Sequence, residues 1–425
     1  MKVLVVGAGG REHALTWGLA RDGTVDRLFV APGNVGMSAD AVRLPIGAGD
    51  LDGIVDVVAR EGIDLTVVGP EVPLVAGLAD RLEANGHAVF GPTADGARLE
   101  ASKAWTKELC VRHGIPTARA VAVHDLDAAR EALDGFAAPH VIKVDGLAAG
   151  KGVVIAETRE EAESAVRAAL VDRSFGDAGD VVVIEEFLRG PEVSAFALAD
   201  GHDILPLVLA QDHKRAEDGD RGPNTGGMGA YSPVGFVDET MERRIVEEVF
   251  SPTIEALRSE GVRYRGVLYA GLILTEQGPT LLEFNCRFGD PETEVIVPRL
   301  ASDLGELLMA CAGGDLRGHR AVWRPEACVT VVIASAGYPG PYESGVEIAG
   351  LDAACEVDGV VVFHAGTEER DGRVVTAGGR VLAVTALGAD LRAARERAYE
   401  ACSRIRFDGM RYRRDIARAA AEEAT

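Results

Sequence analysis

The chain has 425 residues, enough for about three domains at roughly 150 residues each, which argues against a single core. It is 47% hydrophobic and only 5% aromatic, so it can bury ordinary cores but has few rings on which to stack bases. With 44 Lys plus Arg against 67 Asp plus Glu, the net charge of -23 repels a phosphate backbone and argues against a nucleic-acid partner.

Cys110, Cys286, Cys311, Cys328, Cys355 and Cys402 are scattered, with no close pair of the kind that holds zinc or exchanges thiols, so a reducing compartment fits best. The apolar run after Met1 is too short for a secretion signal, and no segment approaches the ~20 apolar residues of a membrane span. A cytoplasmic protein with no membrane contact is expected. Only six of the basic residues are lysine: Lys2, Lys103, Lys107, Lys143, Lys151 and Lys214. Where arginine has taken nearly every other cationic position, a remaining lysine points to a need for a compact, rotatable ammonium, as at a phosphate. Lys2 and Lys107 are read as ordinary solvated residues.

Residues 1–100 alternate apolar runs with helical patterns: Val3 to Val6, Leu28 to Val30, Leu65 to Val68 and Ala88 to Phe90 each end at Gly or Pro. That pattern predicts a doubly wound parallel sheet, whose functional residues gather at the carboxyl ends of the strands. Those ends are Gly7 to His13, Ala31 to Asn34 and Gly69 to Glu71, expected to face one crevice, so Asn34 and Glu71 join the candidate substrate residues. The first loop breaks the G-x-G-x-x-G pattern at Glu12, and the second strand has no acidic residue at its tip, so a nicotinamide dinucleotide is a poor fit. A phosphate held by the amides of Gly9 and Gly10, the following helix N-terminus and Arg11 is the functional alternative to a plain tight turn.

From about residue 101 longer helices mix with antiparallel strands. Ser102 to His113 reads as a helix stopped by Gly114-Ile115-Pro116, and Thr158 to Glu161 opens another with a capping box. Strands are expected around Glu185 to Leu188, Gly219 to Gly229 as a Gly-, Asn- and Thr-rich loop, Met241 to Ser259 as an amphipathic helix, and Gly266 to Leu274 and Thr280 to Asn285 as strands. After a helix near 303–312, Gly313-Gly314 and Pro325 mark a boundary. Strands Cys328 to Ala334, Val360 to His364, Arg373 to Ala377 and Val381 to Thr385, closed by a helix from about Asp390 to Arg404, predict a small α+β domain. The expected division is 1–101, 102–312 with a flap at about 117–188, and 326–425.

Lys143, then Asp145 to Val153 with Gly146, Gly150, Lys151 and Gly152, is a strand, a glycine-rich loop and another strand. It resembles a Walker A loop, but the glycine spacing is one residue short, Gly152 replaces the Ser or Thr, and a strand follows instead of a helix. A mobile hairpin flap fits better, its amides and Lys151 covering phosphates while Lys143 reaches in from the strand. Glu185-Glu186-Phe187-Leu188 with Glu192 forms a hinge between two strands, where free backbone groups can read adenine and Glu192 can accept from ribose hydroxyls; a plain turn flanked by solvated acids is the alternative. Glu283 and Asn285, two apart in a strand, share a face and offer hard oxygen ligands to a divalent cation. Arg287, on the same face if the strand persists, could hold a carboxylate or phosphate bidentately. Asp212 could orient an amine, Lys214 or Arg215 could bind phosphate, and the amides of Gly222 to Pro233, with Thr225 and Gly226, could bind an oxyanion. His213 carries no assigned role.

Together Gly7 to His13, Asp145 to Gly152, Gly222 to Pro233 and Arg287 to Thr293 resemble the glycinamide ribonucleotide synthetase family of ATP-grasp ligases, in order and over nearly the whole chain. The resemblance implies an N-terminal Rossmann-like domain, a split ATP-grasp domain and a C-terminal domain closing the site. It implies a reaction of ATP, glycine and 5-phosphoribosylamine with magnesium or manganese, and a monomer is expected. It implies Glu283 and Asn285 as metal ligands, and a nucleotide site of Lys103, Lys143, Glu185, Leu188 and Glu192 under a flap at 145–152. Candidate catalytic residues are Asp212, Lys214 and Arg287, which position the substrates, with Gly9, Gly10 and Arg11 for the ribose phosphate. Glu294 departs from the family pattern, where Gln is expected, and is read as facing the surface. The rivals are another ATP-grasp ligase or carboxylase, and a nucleotide-binding protein without activity.

Overall fold

The computed structural model describes residues 1–148 and 152–423. The N-terminal sheet is parallel, with β1 (Lys2–Gly7), β2 (Arg27–Pro32), β3 (Val42–Arg43), β4 (Leu65–Val68) and β5 (Val89–Phe90) in the order β3-β2-β1-β4-β5. The order reverses between β1 and β4, so the loops after them open a crevice at the carboxyl edge. Leu4 and Val6 on one face of β1, and Val3 and Val5 on the other, are fully buried, which accounts for the unbroken apolar run.

The helix Lys103–His113 starts at Ser102, whose Oγ accepts from Trp105 N at 3.1 Å, and stops at Gly114 in the left-handed conformation. The flap sheet follows: β6 (Ala120–Val123), β7 (His140–Val144), β8 (Val153–Ala156) and β9 (Val182–Glu186), ordered β6-β9-β7-β8 and antiparallel throughout. Its helix Arg159–Leu170 is capped as expected: Thr158 Oγ1 accepts from Glu161 N, and the Glu161 carboxylate accepts from Glu157 N at 2.9 Å. Val123, Leu133, Ile142 and Ile184 give this flap an apolar core of its own.

Next come β10 (Glu192–Ala199), β11 (Ile204–Pro206), β12 (Gln211–Asp212), β13 (Arg215–Glu217), β14 (Arg221–Asn224), β15 (Gly229–Ser232), β16 (Gly266–Thr275) and β17 (Gly278–Asn285). The order β11-β10-β16-β17 makes the larger antiparallel sheet opposite the flap. Leu268, Leu281 and Phe284 of this sheet share a core with Leu4 and Val6, so it and the N-terminal sheet rest on common packing. The stretch expected as a loop at 219–229 contains β14, paired antiparallel with β13, because Gly219 at φ +73° and Asp220 at φ +52° let the turn between the two strands close. The helix expected over 241–259 is a 7-residue α-helix, a π-helical stretch at Val246–Phe250 and Ser251–Ser259 run together.

The last sheet is ordered β12-β15-β18-β22-β19, with β18 (Ala327–Ala334), β19 (Val360–His364) and β22 (Arg380–Gly388), while β20 (Thr367–Arg370) and β21 (Arg373–Thr376) form a separate hairpin. Its strands β12 and β15 come from the middle of the chain, so this sheet is continuous with the segment carrying Asp212 to Gly229. Among the described residues no helix is long and apolar enough to cross a membrane.

Candidate active site

Three charged clusters lie where the sheets meet. In the first, Lys143 projects from β7 and its Nζ lies 3.0 Å from Glu185 Oε2 and 2.9 Å from the Leu282 carbonyl. That carbonyl is available because β17 slips register: Glu283 opposes Gly271 and Leu281 opposes Leu272, leaving Leu282 unpaired. Lys107, expected at the surface, is buried, and its Nζ lies 3.0 Å from the same Glu185 Oε2 and 2.8 Å from Thr117 Oγ1. The expectation failed because Lys107 stands one helical turn beyond Lys103, on the turn of the helix that packs toward β9. The scarcity of lysine was the available signal, and it applied to Lys107 as much as to Lys143. Glu185 Oε1 is buried without a hydrogen-bond partner among the described residues.

Lys103 donates to the Gly146 carbonyl at 3.3 Å, and Asp145 ties the loop to the helix N-terminus through Ser102 Oγ and Ala104 N. Burial lowers the Lys103 pKa, opposed by the nearby Glu283 carboxylate. No hydrogen bond or ion pair from the described residues occupies the side chains of Glu283 or Asn285, which alternate onto one face of β17. A carboxylate and an amide oxygen placed this way suit a hard divalent cation that takes its other ligands from phosphate and water. Gly152 fits the flap turn tightly, since a Cβ there would meet Val144 at 2.5 Å; Gly150 and Lys151 lie outside the described residues. Leu188 is half-buried beside the β9 end, while the Glu186 carboxylate accepts from Arg119 N at 2.7 Å and so closes the β6–β9 edge.

In the second cluster, Lys214 Nζ lies 2.9 Å from Asp212 Oδ1 and 3.3 Å from Glu192 Oε2. Burial works against this ammonium, but the two carboxylates outweigh it and raise its pKa well above the ordinary value. Beside them Glu292 Oε1 accepts from Tyr269 OH at 2.7 Å and from Ser194 Oγ at 3.1 Å, and burial together with Asp212 raises its pKa. Thr225 Oγ1 donates to the Lys214 carbonyl at 2.9 Å, which joins the glycine-rich loop to this cluster.

The third cluster gathers two arginines. Arg287 lies 3.0 Å from Glu100 Oε1 and 3.3 Å from Glu71 Oε2, and both Arg287 and Arg11 donate to the Phe288 carbonyl at 3.2 Å. Burial opposes the Glu71 charge, and Arg287 and Arg11 still hold its carboxyl below the usual range. Burial pushes Glu100 up against the pull of Arg287; the sequence carried no mark of Glu100, which lies outside every motif. Arg11 is also paired with Glu12, whose other oxygen accepts from Gly9 N at 2.6 Å. Gly9 therefore has its amide engaged, and Gly7, Gly9 and Gly69 make room for Glu12, each giving a Cβ contact under 3.0 Å if substituted. Asn34 donates to the carbonyls of Ala8 and His364 and accepts from Gly36 N, so it braces the crevice against β19.

Glu294, expected at the surface, is fully buried, and neither carboxylate oxygen has a hydrogen-bond partner among the described residues. Its short helix, Thr293–Ile296, is buried on every side between Gly10 and β18, which no single-face pattern over four residues could reveal.

An antiparallel sheet facing a smaller lysine-bearing flap, with a Glu–Asn pair at the joint and a Rossmann-like crevice alongside, defines an ATP-grasp ligase. The chain belongs to the phosphoribosylglycinamide synthetase family: its N domain matches residues 1–100, its ATP-grasp (A) domain 101–293 and its C domain 328–419. The chain is 49% identical to a phosphoribosylamine–glycine ligase of Pseudomonas aeruginosa, covering 100% of this chain and 99% of that protein. It is 50% identical to one of Salmonella typhimurium, with 98% of each covered. The crystal structure of a phosphoribosylamine–glycine ligase from Thermotoga maritima superposes with a TM-score of 0.85 at 36% identity, covering 98% of this chain and all of that one. A biotin carboxylase domain from Hydrogenobacter thermophilus, 17% identical with a TM-score of 0.72, shares the fold.

Proposed function

We propose that this chain joins glycine to 5-phosphoribosylamine in cytoplasmic purine synthesis, giving glycinamide ribonucleotide, ADP and phosphate by way of glycyl phosphate. The observation that carries the reading is that the three charged clusters share one sheet in a chain similar over its full length to ligases of that name: Lys143 bonds the Leu282 carbonyl of β17, Arg287 follows the end of β17, and Glu192 of β10 holds Lys214.

A carboxylate is a poor electrophile at neutral pH and needs a leaving group. A glycine carboxylate oxygen attacks the γ-phosphorus of ATP, the bond to the bridging oxygen breaks, and ADP leaves. The neutral amine of phosphoribosylamine then attacks the carbonyl carbon of glycyl phosphate, the C–O bond to phosphate breaks, and the amine proton is lost. Lys143, held by Glu185, and Lys103 face the phosphates; Leu188, the Glu185–Glu186 backbone and Glu192 receive the nucleoside. Glu283 and Asn285 would hold magnesium or manganese, which when bound would supply Lewis-acid neutralisation of phosphate charge. Asp212 and Lys214 orient the acid and amine, Arg287 and Glu71 position substrate, and Arg11 with the amides at Gly10 takes the ribose phosphate. Gly150 and Lys151, which lie outside the described residues, and Gly152 are read as the phosphate-contacting residues of the flap. Its separate apolar core supports movement as a unit, which keeps water from the acyl phosphate. The domain limits of 1–101, 102–312 and 326–425 and a monomeric state belong to the same reading.

The test is ADP release with ATP, magnesium, glycine and freshly generated phosphoribosylamine, omitting each in turn. Release that needs both acid and amine is expected. ATP binding without such release would leave an ATP-grasp ligase acting on another acid.

A further inference from the structure

Arg380, at the start of β22, was not marked by any motif, yet its guanidinium reaches into the centre of the site. Its Nη1 lies 2.7 Å from the Gly226 carbonyl, 2.8 Å from the Asp290 carbonyl, 3.1 Å from Asp290 Oδ1 and 3.4 Å from the Gly227 carbonyl. The Tyr338 hydroxyl, from the same part of the chain, accepts from Gly226 N at 3.2 Å. Both peptide groups flanking Gly226 are thus held by C-terminal side chains. The fit leaves no slack: a Cβ on Gly226 would lie 3.0 Å from Arg380 Cζ, and one on Gly227, at φ +115°, would lie 2.3 Å from Pro291.

The two segments clamped in this way lead to different clusters. Gly226 follows Thr225, which is bonded to the Lys214 carbonyl through both its amide and its hydroxyl. Asp290 precedes Glu292, bonded to Tyr269 and Ser194. One guanidinium therefore sets the distance between the loop beside Asp212–Lys214 and the turn beside Glu292.

Charge gives Arg380 a second consequence. Asp290 Oδ2 faces the Gly9–Gly10 turn, 3.4 Å from where a Cβ on Gly9 would stand. Glu12 and Glu294 also border that turn, Glu12 neutralised by Arg11. Without Arg380 an unpaired carboxylate would confront any phosphate arriving there.

We infer that Arg380, with Tyr338, is a positioning residue for phosphoribosylamine: it clamps Gly226–Gly227 to Asp290 and neutralises the carboxylate facing the ribose-phosphate turn. The inference rests on the ligase reading above. The nucleotide contacts at Lys103, Lys143 and Glu185 lie on other elements, so the effect separates by substrate.

The experiment is steady-state kinetics of the full chain and of Arg380→Met and Tyr338→Phe, varying each substrate in turn. Wild-type turnover requiring both glycine and phosphoribosylamine establishes the ligase reading first; if it fails, that reading fails, independently of Arg380. Arg380→Met is expected to raise KM for phosphoribosylamine at least about tenfold and KM for ATP by less than about twofold, with partial recovery in added guanidinium ion. Tyr338→Phe, which removes one hydroxyl and leaves the fold intact, is expected to raise KM for phosphoribosylamine about threefold. An equal rise in KM for ATP, or an unchanged KM for phosphoribosylamine, overturns the inference. If Arg380→Met does not fold, the Tyr338→Phe result decides by the same criterion.

Discussion

Glu185 carries the sharpest prediction. It stands between Lys107 and Lys143, each 3.0 Å from Oε2, and the carboxylate side chain is 2% exposed against 10% and 6% for the two lysines. The triad carries a net charge of +1, so Glu185→Gln leaves two buried ammonium groups with no counter-charge. Removing one partner of a buried pair costs about 3–5 kcal/mol, because the remaining charge is uncompensated. Lys107 keeps Thr117 Oγ1 and the Ala118 carbonyl, and Lys143 keeps the Leu282 carbonyl, which places the expected loss at the lower end, about 3 kcal/mol. Lys107→Met provides the contrast. Burial already lowers the Lys107 pKa despite Glu185, so removing this ammonium also removes a desolvation cost and leaves Lys143 paired; about 1 kcal/mol is expected. Urea denaturation of both variants at pH 7, followed by far-ultraviolet circular dichroism, measures the difference. If Glu185→Gln is no more destabilising than Lys107→Met, the carboxylate is not what holds the two lysines in place.

Glu283→Ala is expected to lower turnover at least about a hundredfold and to abolish Mn2+ binding seen by electron paramagnetic resonance with ATP present, while thermal stability is retained; normal Mn2+ binding would remove Glu283 from the metal site. Glu294 gives a dependence on pH. Burial, then Asp290, raises its pKa well above the ordinary 4.5, so the folded chain keeps a proton that the unfolded chain releases, and stability is lost as pH rises above 4.5. Glu294→Gln is expected to melt above the wild type at pH 8, with the gap closing toward pH 5. Equal melting curves at both pH values would show that the acid is not held neutral by burial.

Periodic patterns identified β1, β2, β4, β16, β17 and β18 nearly to the residue, because each runs through a core where every or every second side chain must be apolar. The departures of the glycine loop at 145–152 from a Walker A motif were equally legible, and a strand does follow it. Spacing also placed Glu283 and Asn285 on one face, since side-chain alternation is a property of the strand alone. Other features depended on contacts between segments far apart in the chain. Lys107 and Glu294 were read as surface residues, and their burial was decided by elements that pack over short helices from elsewhere. Glu100 and Arg380 carry no local signal, yet they hold Arg287, Gly226 and Asp290. By itself the sequence determined the family, the order of elements and the residue types at the chemistry, which are matters of local pattern. Only the tertiary structure decided which carboxylate neutralises which cation, because a buried charge must find its partner in space, at any separation along the chain.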